Sequence, residues 1–173
     1  VRYYCKLRDI DRVNLKRRIL GIFAVAFALP FAYARVFEHP SLTRDWSPDQ
    51  RVLPQASIAD DVVTIKNVRN FSYRSVSDYD ARYERRTYDL NQLDSVWYLV
   101  ERLPSPGLAH TLLSFGFGDE YLAISVEIRK ERGEIYSPLR GLLRQYELTY
   151  VIADERDVIG LRTNQRRDVV YLY

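Results

Sequence analysis

Leu108 to Arg129 reads LAHTLLSFGFGDEYLAISVEIR: an apolar run, Gly118-Asp119, then a second apolar run. A two-residue Gly–Asp loop predicts a β-hairpin, because tight primed turns need positive φ. With that loop, Phe117 pairs with Glu120, Phe115 with Leu122, Leu113 with Ile124 and Thr111 with Val126. This face is oily, and it is expected to point at a core. The other face pairs Ser114 with Ala123, Leu112 with Ser125 and His110 with Glu127. Opposed Cβ atoms in such a ladder lie about 4.5–5.5 Å apart, within reach of a His–carboxylate hydrogen bond. A carboxylate there would fix the ring tautomer, as the orienting group of a catalytic base does. The plainer reading is the wet side of a sheet carrying a surface ion pair. A loop one residue longer would move Glu127 to the face away from His110.

The 173 residues allow one ordinary domain plus extensions. Residues 1–34 hold seven basic and two acidic side chains, so the rest carries 19 basic against 21 acidic, a net of −2. A near-neutral remainder gives no reason to expect nucleic acid as a partner. Cys5 is the single cysteine, so no disulfide can form within the chain and no Cys-based metal site is possible. His39 and His110 show no metal-ligand spacing. No cofactor motif is present.

Lys16-Arg17-Arg18 precedes an unbroken apolar run, Ile19 to Leu29, and Ala32-Tyr33-Ala34 follows it. This is the three-part pattern of a secretory signal. Even extended through Ala34 the run has sixteen residues, fewer than the roughly 20 of a membrane span. An uncleaved, tilted anchor and a buried helix are the alternatives. Signal or anchor would send the remainder across the inner membrane through residues 19–34, the basic cluster staying behind. The chain starts at Val1 and stops inside an apolar pattern, DVVYLY, which reads as a fragment.

Residues 35–60, with Pro40, Pro48 and Pro54, read as a linker, and Trp46 within it as a plug for a groove on its own domain. Strands are expected at 62–73, with a turn or bulge in Asn67–Asn70, and at 96–100, 148–153 and the final DVVYLY. The Tyr-, Arg- and Asp-rich stretch 73–90 reads as a solvated strand pair stitched by ion pairs. Leu103-Pro104-Ser105-Pro106-Gly107 breaks the chain just before His110. Pro138 and Asp154 mark the starts of two short helices. The expected architecture is α+β: an antiparallel sheet around the hairpin at 108–129, with short helices, in a domain spanning 61–173 behind a leader at 1–34.

Several runs together resemble the bacterial Lnb N-terminal periplasmic domain family. They are Arg44-Asp45-Trp46, VVTIKNVRNF at 62–71, Tyr73-Arg74-Ser75, RTYDL at 86–90, AHTLLSF at 109–115, RQYE at 144–147 and ADERD at 153–157. AHTLLSF and ADERD at this separation are the specific strings, and the likeness runs over about 44–173. The resemblance implies a papain-like, permuted NlpC/P60-type core, present here in part. In that layout a strand His is assisted by a polar residue on the next strand, and a nucleophilic Cys follows at a helix N-terminus. It also implies acyl transfer from a lipid to a lipoprotein amine, so membrane lipid or lipoprotein is the expected substrate.

His110 matches the family's His; Glu127 as its helper is the hairpin inference. Arg129 and Ser125, on the same face as Glu127, are candidates for binding substrate. No cysteine follows His110, and Cys5 precedes the leader-like run, so this stretch is expected to be inactive alone. A peptidoglycan amidase or peptidase would use the same parts. An exported binding or scaffold domain would not use them.

Overall fold

The computed structural model describes residues 2–37, 41–103, 107–142 and 144–173. The Pro104–Pro106 break and His39 lie outside them. The chain divides into two units, residues 1–43 with 135–147, and residues 44–134 with 148–173.

The first unit contains α1 (Arg2–Phe37) and α2 (Pro138–Leu142). From Asn14 to Leu29 every described side chain of α1 is exposed, Leu20, Ile22 and Phe23 among them. No described helix is long and apolar enough to cross a membrane. Pro138 opens α2, where its missing N–H costs nothing. Beside it the Tyr146 hydroxyl accepts from the Ser137 N–H at 2.7 Å.

The second unit is built on one eight-stranded sheet. Its strands are β1 (Gln55–Ala59), β2 (Val62–Arg69), β5 (Tyr83–Asp89), β6 (Ser95–Arg102), β7 (Ala109–Phe117), β8 (Glu120–Arg129), β9 (Glu147–Asp154) and β10 (Val170–Leu172). The order is β1-β2-β9-β8-β7-β6-β10, and β5 pairs with β2. Two short strands, β3 (Ser72–Tyr73) and β4 (Tyr79–Asp80), pair separately. Helix α3 (Glu155–Gly160) follows β9, with Asp154 as its N-cap accepting from the Arg156 N–H. The α+β expectation holds. The sheet is mixed rather than antiparallel throughout, because β9 enters beside β2 in parallel, with Arg69 opposite Ala153. That choice of neighbour is non-local, and the strand patterns carry no trace of it.

The hairpin register is the expected one from Phe117–Glu120 through Leu112–Ser125. Gly118 supplies the turn's positive φ of 65°. β2 bulges between Ile65 and Val68, where Asn67 takes φ 62° and its amide donates to the Leu53 carbonyl. Arg74 pairs with Asp78 and Asp80, and Arg86 with Glu84, so the polar stretch is stitched as expected.

Two expectations change. β1 lies inside the stretch read as linker; its five residues are all exposed, so no alternation marked it. Trp46, in the same stretch, is the plug it was expected to be: it is 2% exposed, bridges to Glu131 and lies under the Arg129 guanidinium of β8.

The second change concerns the faces of the hairpin. Leu112, Ser114, Ala123 and Ser125, the small and polar side, are buried. They lie under α3, whose Val158 is fully buried with Leu99, Leu112, Ala123, Val151 and Ala153. Small side chains let a helix approach a sheet closely. The oily side is covered only near the turn, where Leu122 and Phe117 meet Ile65, Val68 and Tyr88. Farther along, Leu113 and Val126 are exposed. Counting apolar residues identified the oilier face but not the one the helix would cover.

Candidate functional site

His110 lies near the start of β7 on the face turned toward α3, and Glu101 of β6 is its cross-strand neighbour. The described β7–β8 ladder stops at Leu112–Ser125, two residues short of pairing His110 with Glu127. The side chains meet nonetheless. His110 Nε2 is 2.7 Å from Ser125 Oγ and 3.2 Å from Glu127 Oε1. Ser125 Oγ donates to the same Glu127 oxygen at 2.7 Å. Since that hydroxyl has one proton and gives it to Glu127, its oxygen accepts from His110, which assigns the ring proton to Nε2. Among the described residues Nδ1 has no hydrogen-bond partner. The imidazole is 21% exposed and the Glu127 side chain 24%, so the pair is half-buried and reachable.

Glu127 is anchored from a third direction. Arg162, on the turn after α3, donates Nη2 to Glu127 Oε1 at 2.5 Å. Burial pushes the Glu127 carboxyl up, but the His110 hydrogen bond and the Arg162 charge outweigh it and hold it down at about 2. It is therefore ionised at neutral pH and accepts only, as an orienting group for an imidazole N–H must.

This has a measurable consequence. A carboxyl lowered in the fold stabilises it above the unfolded value, about 4.5 here, and loses that contribution as pH falls toward 2. A quarter of the side chain meets water, so the contribution is about 2–3 kcal/mol rather than the full shift. The stability advantage of wild type over Glu127→Gln should shrink by that amount as pH falls from 4.5 to 2. Urea unfolding at each pH checks it, and a pH-independent difference would refute it.

Ser125 is 1% exposed and its proton is committed to Glu127, so it orients rather than contacts solvent. Arg129 is not delivered to this cluster. It is 3% exposed, stacks 4.1 Å from the Trp46 ring centroid and donates to the Gln50 and Arg51 carbonyls. Of the four residues singled out by sequence, three come together and Arg129 serves the Trp46 contact. Two members were missed, Glu101 and Arg162. Their signal was faint: an acid two residues after the core strand position Leu99 and just before the chain break, and a cation four residues after Val158 on the helix's core side.

Among the described residues no group of three or more His, Cys, Asp or Glu could hold a metal ion. A separate polar cleft of about 650 Å³, lined by Glu84, Arg86, Tyr121, Asp154 and Glu155 among others, does not include His110. What the His110 cluster can do chemically is take a proton at Nδ1 from an incoming nucleophile while the ring stays fixed at Nε2.

Comparison with known proteins places this cluster in a family. No curated protein and no solved structure matches the chain. The family model described as the Lnb N-terminal periplasmic domain matches residues 79–173, from β4 to the end, and so includes His110, Ser125, Glu127 and Arg162. The stretch 44–78, which carries part of the resemblance, lies outside that match. The match covers more than half of the chain and implies an envelope or periplasmic location; the chain belongs to the Lnb N-terminal periplasmic domain family.

Proposed function

We propose that this domain supplies the general base of a thiol acyltransferase in the bacterial envelope. The observation that carries the reading is the His110 ring, gripped at Nε2 by Glu127 and Ser125, with Nδ1 left without a hydrogen-bond partner among the described residues. In this reading the sheet is part of a papain-like layout, and a cysteine thiol from outside these residues approaches Nδ1. The thiol gives its proton to Nδ1 as sulfur attacks the ester carbonyl of a membrane lipid. The S–C bond forms, the ester C–O bond breaks, and the imidazolium returns the proton to the leaving alkoxide. A lipoprotein amine then attacks the thioester. The N–C bond forms, the S–C bond breaks, and His110 carries the amine proton to the departing thiolate. Ser125 is no substitute nucleophile, since it is buried and its proton points at Glu127. The exposed apolar run of α1 behind Lys16-Arg17-Arg18 would keep the protein at the inner membrane.

The full-length gene product, incubated with phospholipid and either a lipopeptide bearing a free N-terminal amine or a muropeptide, tests the reading by mass spectrometry. A gain of one acyl chain on the lipopeptide is expected. Cleavage of the muropeptide alone would make the protein an amidase with the same base. No product from either would leave a binding or scaffold domain.

A further inference from the structure

Behind His110 lies a run of buried charge that acyl transfer itself does not use. Arg162 is 4% exposed and Glu101 2%. All three Arg162 nitrogens are engaged: Nη2 with Glu127 at 2.5 Å, Nε with Glu101 Oε2 at 2.8 Å, and Nη1 with the Val158 carbonyl at 3.0 Å. The other Glu101 oxygen accepts from Arg166 Nη2 at 2.6 Å, and Arg166 Nε is 2.7 Å from Asp168. The backbone is opened at this point. Leu161–Gln165 is a π turn, with the Arg166 N–H donating to the Leu161 carbonyl five residues back. Single π turns recur at functional sites.

Taking these ions out of water is costly, and apolar side chains often fill such a place at least as stably. The same layer already holds Leu99, Leu112 and Val158. The polar choice therefore needs a reason, and its end points supply one. Ring orientation at His110 is set by Glu127, and Glu127 is set by a guanidinium whose plane is fixed at three atoms. A lysine could match the charge but not the fork.

We propose that Arg162 is a positioning residue for His110. It grips Glu127 from the helix side, and Glu101 grips Arg162 in turn. The carboxylate is thereby locked where it holds the ring's Nε2–H and leaves Nδ1 open to a nucleophile. The groups facing the ring are Glu127 and Ser125 from β8, Glu101 from β6 and, through Glu127, Arg162 from the turn after α3. The purpose of this device rests on the acyl-transfer reading, but its test does not measure acyl transfer.

The test observes the ring nitrogens by ¹⁵N NMR in the full chain, with His39→Gln so that one imidazole remains, at a pH where the ring is neutral. The otherwise unaltered chain should show a single tautomer, protonated at Nε2. Arg162→Met should lose that single pattern, and Arg162→Lys should fall between. In the full-length gene product Arg162→Met should lower kcat about 10–100-fold with KM little changed. A folded Arg162→Met protein with the unaltered ring pattern would overturn the proposal and leave Arg162 a structural ion pair. If Arg162→Met does not fold, Glu101→Gln decides. It should loosen the grip and disturb the same ring signals, and unchanged signals would overturn the proposal equally. A shifted ring without any acyl-transfer product would reject the acyl-transfer reading and keep the positioning one.

Discussion

His110→Ala in the full-length gene product should reduce acyl transfer by about 10²–10⁴-fold, the range a positioned general base contributes. The fold should scarcely notice. The imidazole is partly exposed, and its loss leaves Glu127 still bound by Ser125 and Arg162. An unfolding free energy within about 1 kcal/mol of wild type is expected, as for substitutions away from the core. Glu127→Gln should lower activity by up to a similar factor, about 10⁴-fold, because the amide keeps the shape and loses the charge that fixes the ring's tautomer. Rates measured on product mass, beside a urea curve for each variant, check both. A His110→Ala enzyme within threefold of wild type would leave the imbalance of tautomers at this ring without a catalytic meaning.

Asp157→Ala should destabilise the second unit by about 3–5 kcal/mol, the cost of leaving one partner of a buried ion pair alone. Asp157 has no exposed surface and Arg69 is 7% exposed. The Asp157 carboxylate accepts Arg69 Nη2 at 2.8 Å, Arg69 Nε at 3.0 Å, and the Phe71 N–H at 2.8 Å. Without it the guanidinium stays buried with only the Asp49 carbonyl to receive it among the hydrogen bonds described. The position is also a join. β2 and β9 share the single described ladder pair Arg69–Ala153, and the Arg69–Asp157 pair ties the end of β2 to α3 just beyond. Domains of this size are stable by roughly 5–15 kcal/mol, so the variant should unfold at a much lower urea concentration. Replacing both residues, Arg69→Met with Asp157→Leu, should recover at least half of the loss, because no lone charge is then left inside. A single variant within 0.5 kcal/mol of wild type by the same urea measurement would refute this account.

Features written in adjacent residues could be read from the sequence. The Gly118-Asp119 loop set the hairpin register. Asp154 announced a helix start, Asn67 a bulge, and the run at 96–100 lies within β6. What could not be read depends on partners far along the chain. The buried side of the hairpin is decided by α3, which begins 26 residues after β8 ends, and the sequence of the hairpin itself favoured the opposite side. The parallel meeting of β2 with β9 leaves no local periodicity. β1 is exposed at all five positions, so it lacks the alternation that betrays a strand. At the site, His110, Ser125 and Glu127 were legible because they share one hairpin. Glu101 and Arg162 were not, since each is an ordinary charged residue until the fold brings the two within 2.8 Å of one another. Arg129 misled for the converse reason: the right spacing on the right strand, but claimed by Trp46 from a segment that reads as a connector.

The hairpin is therefore not a portable cassette. Transplanted to a foreign sheet, residues 108–129 would bring the imidazole, hydroxyl and carboxylate in register, yet the hand that steadies the carboxylate belongs to a turn 33 residues farther on. An engineer borrowing this hardware would have to carry the strand before it and the helix after it, nearly the entire stretch that defines the family.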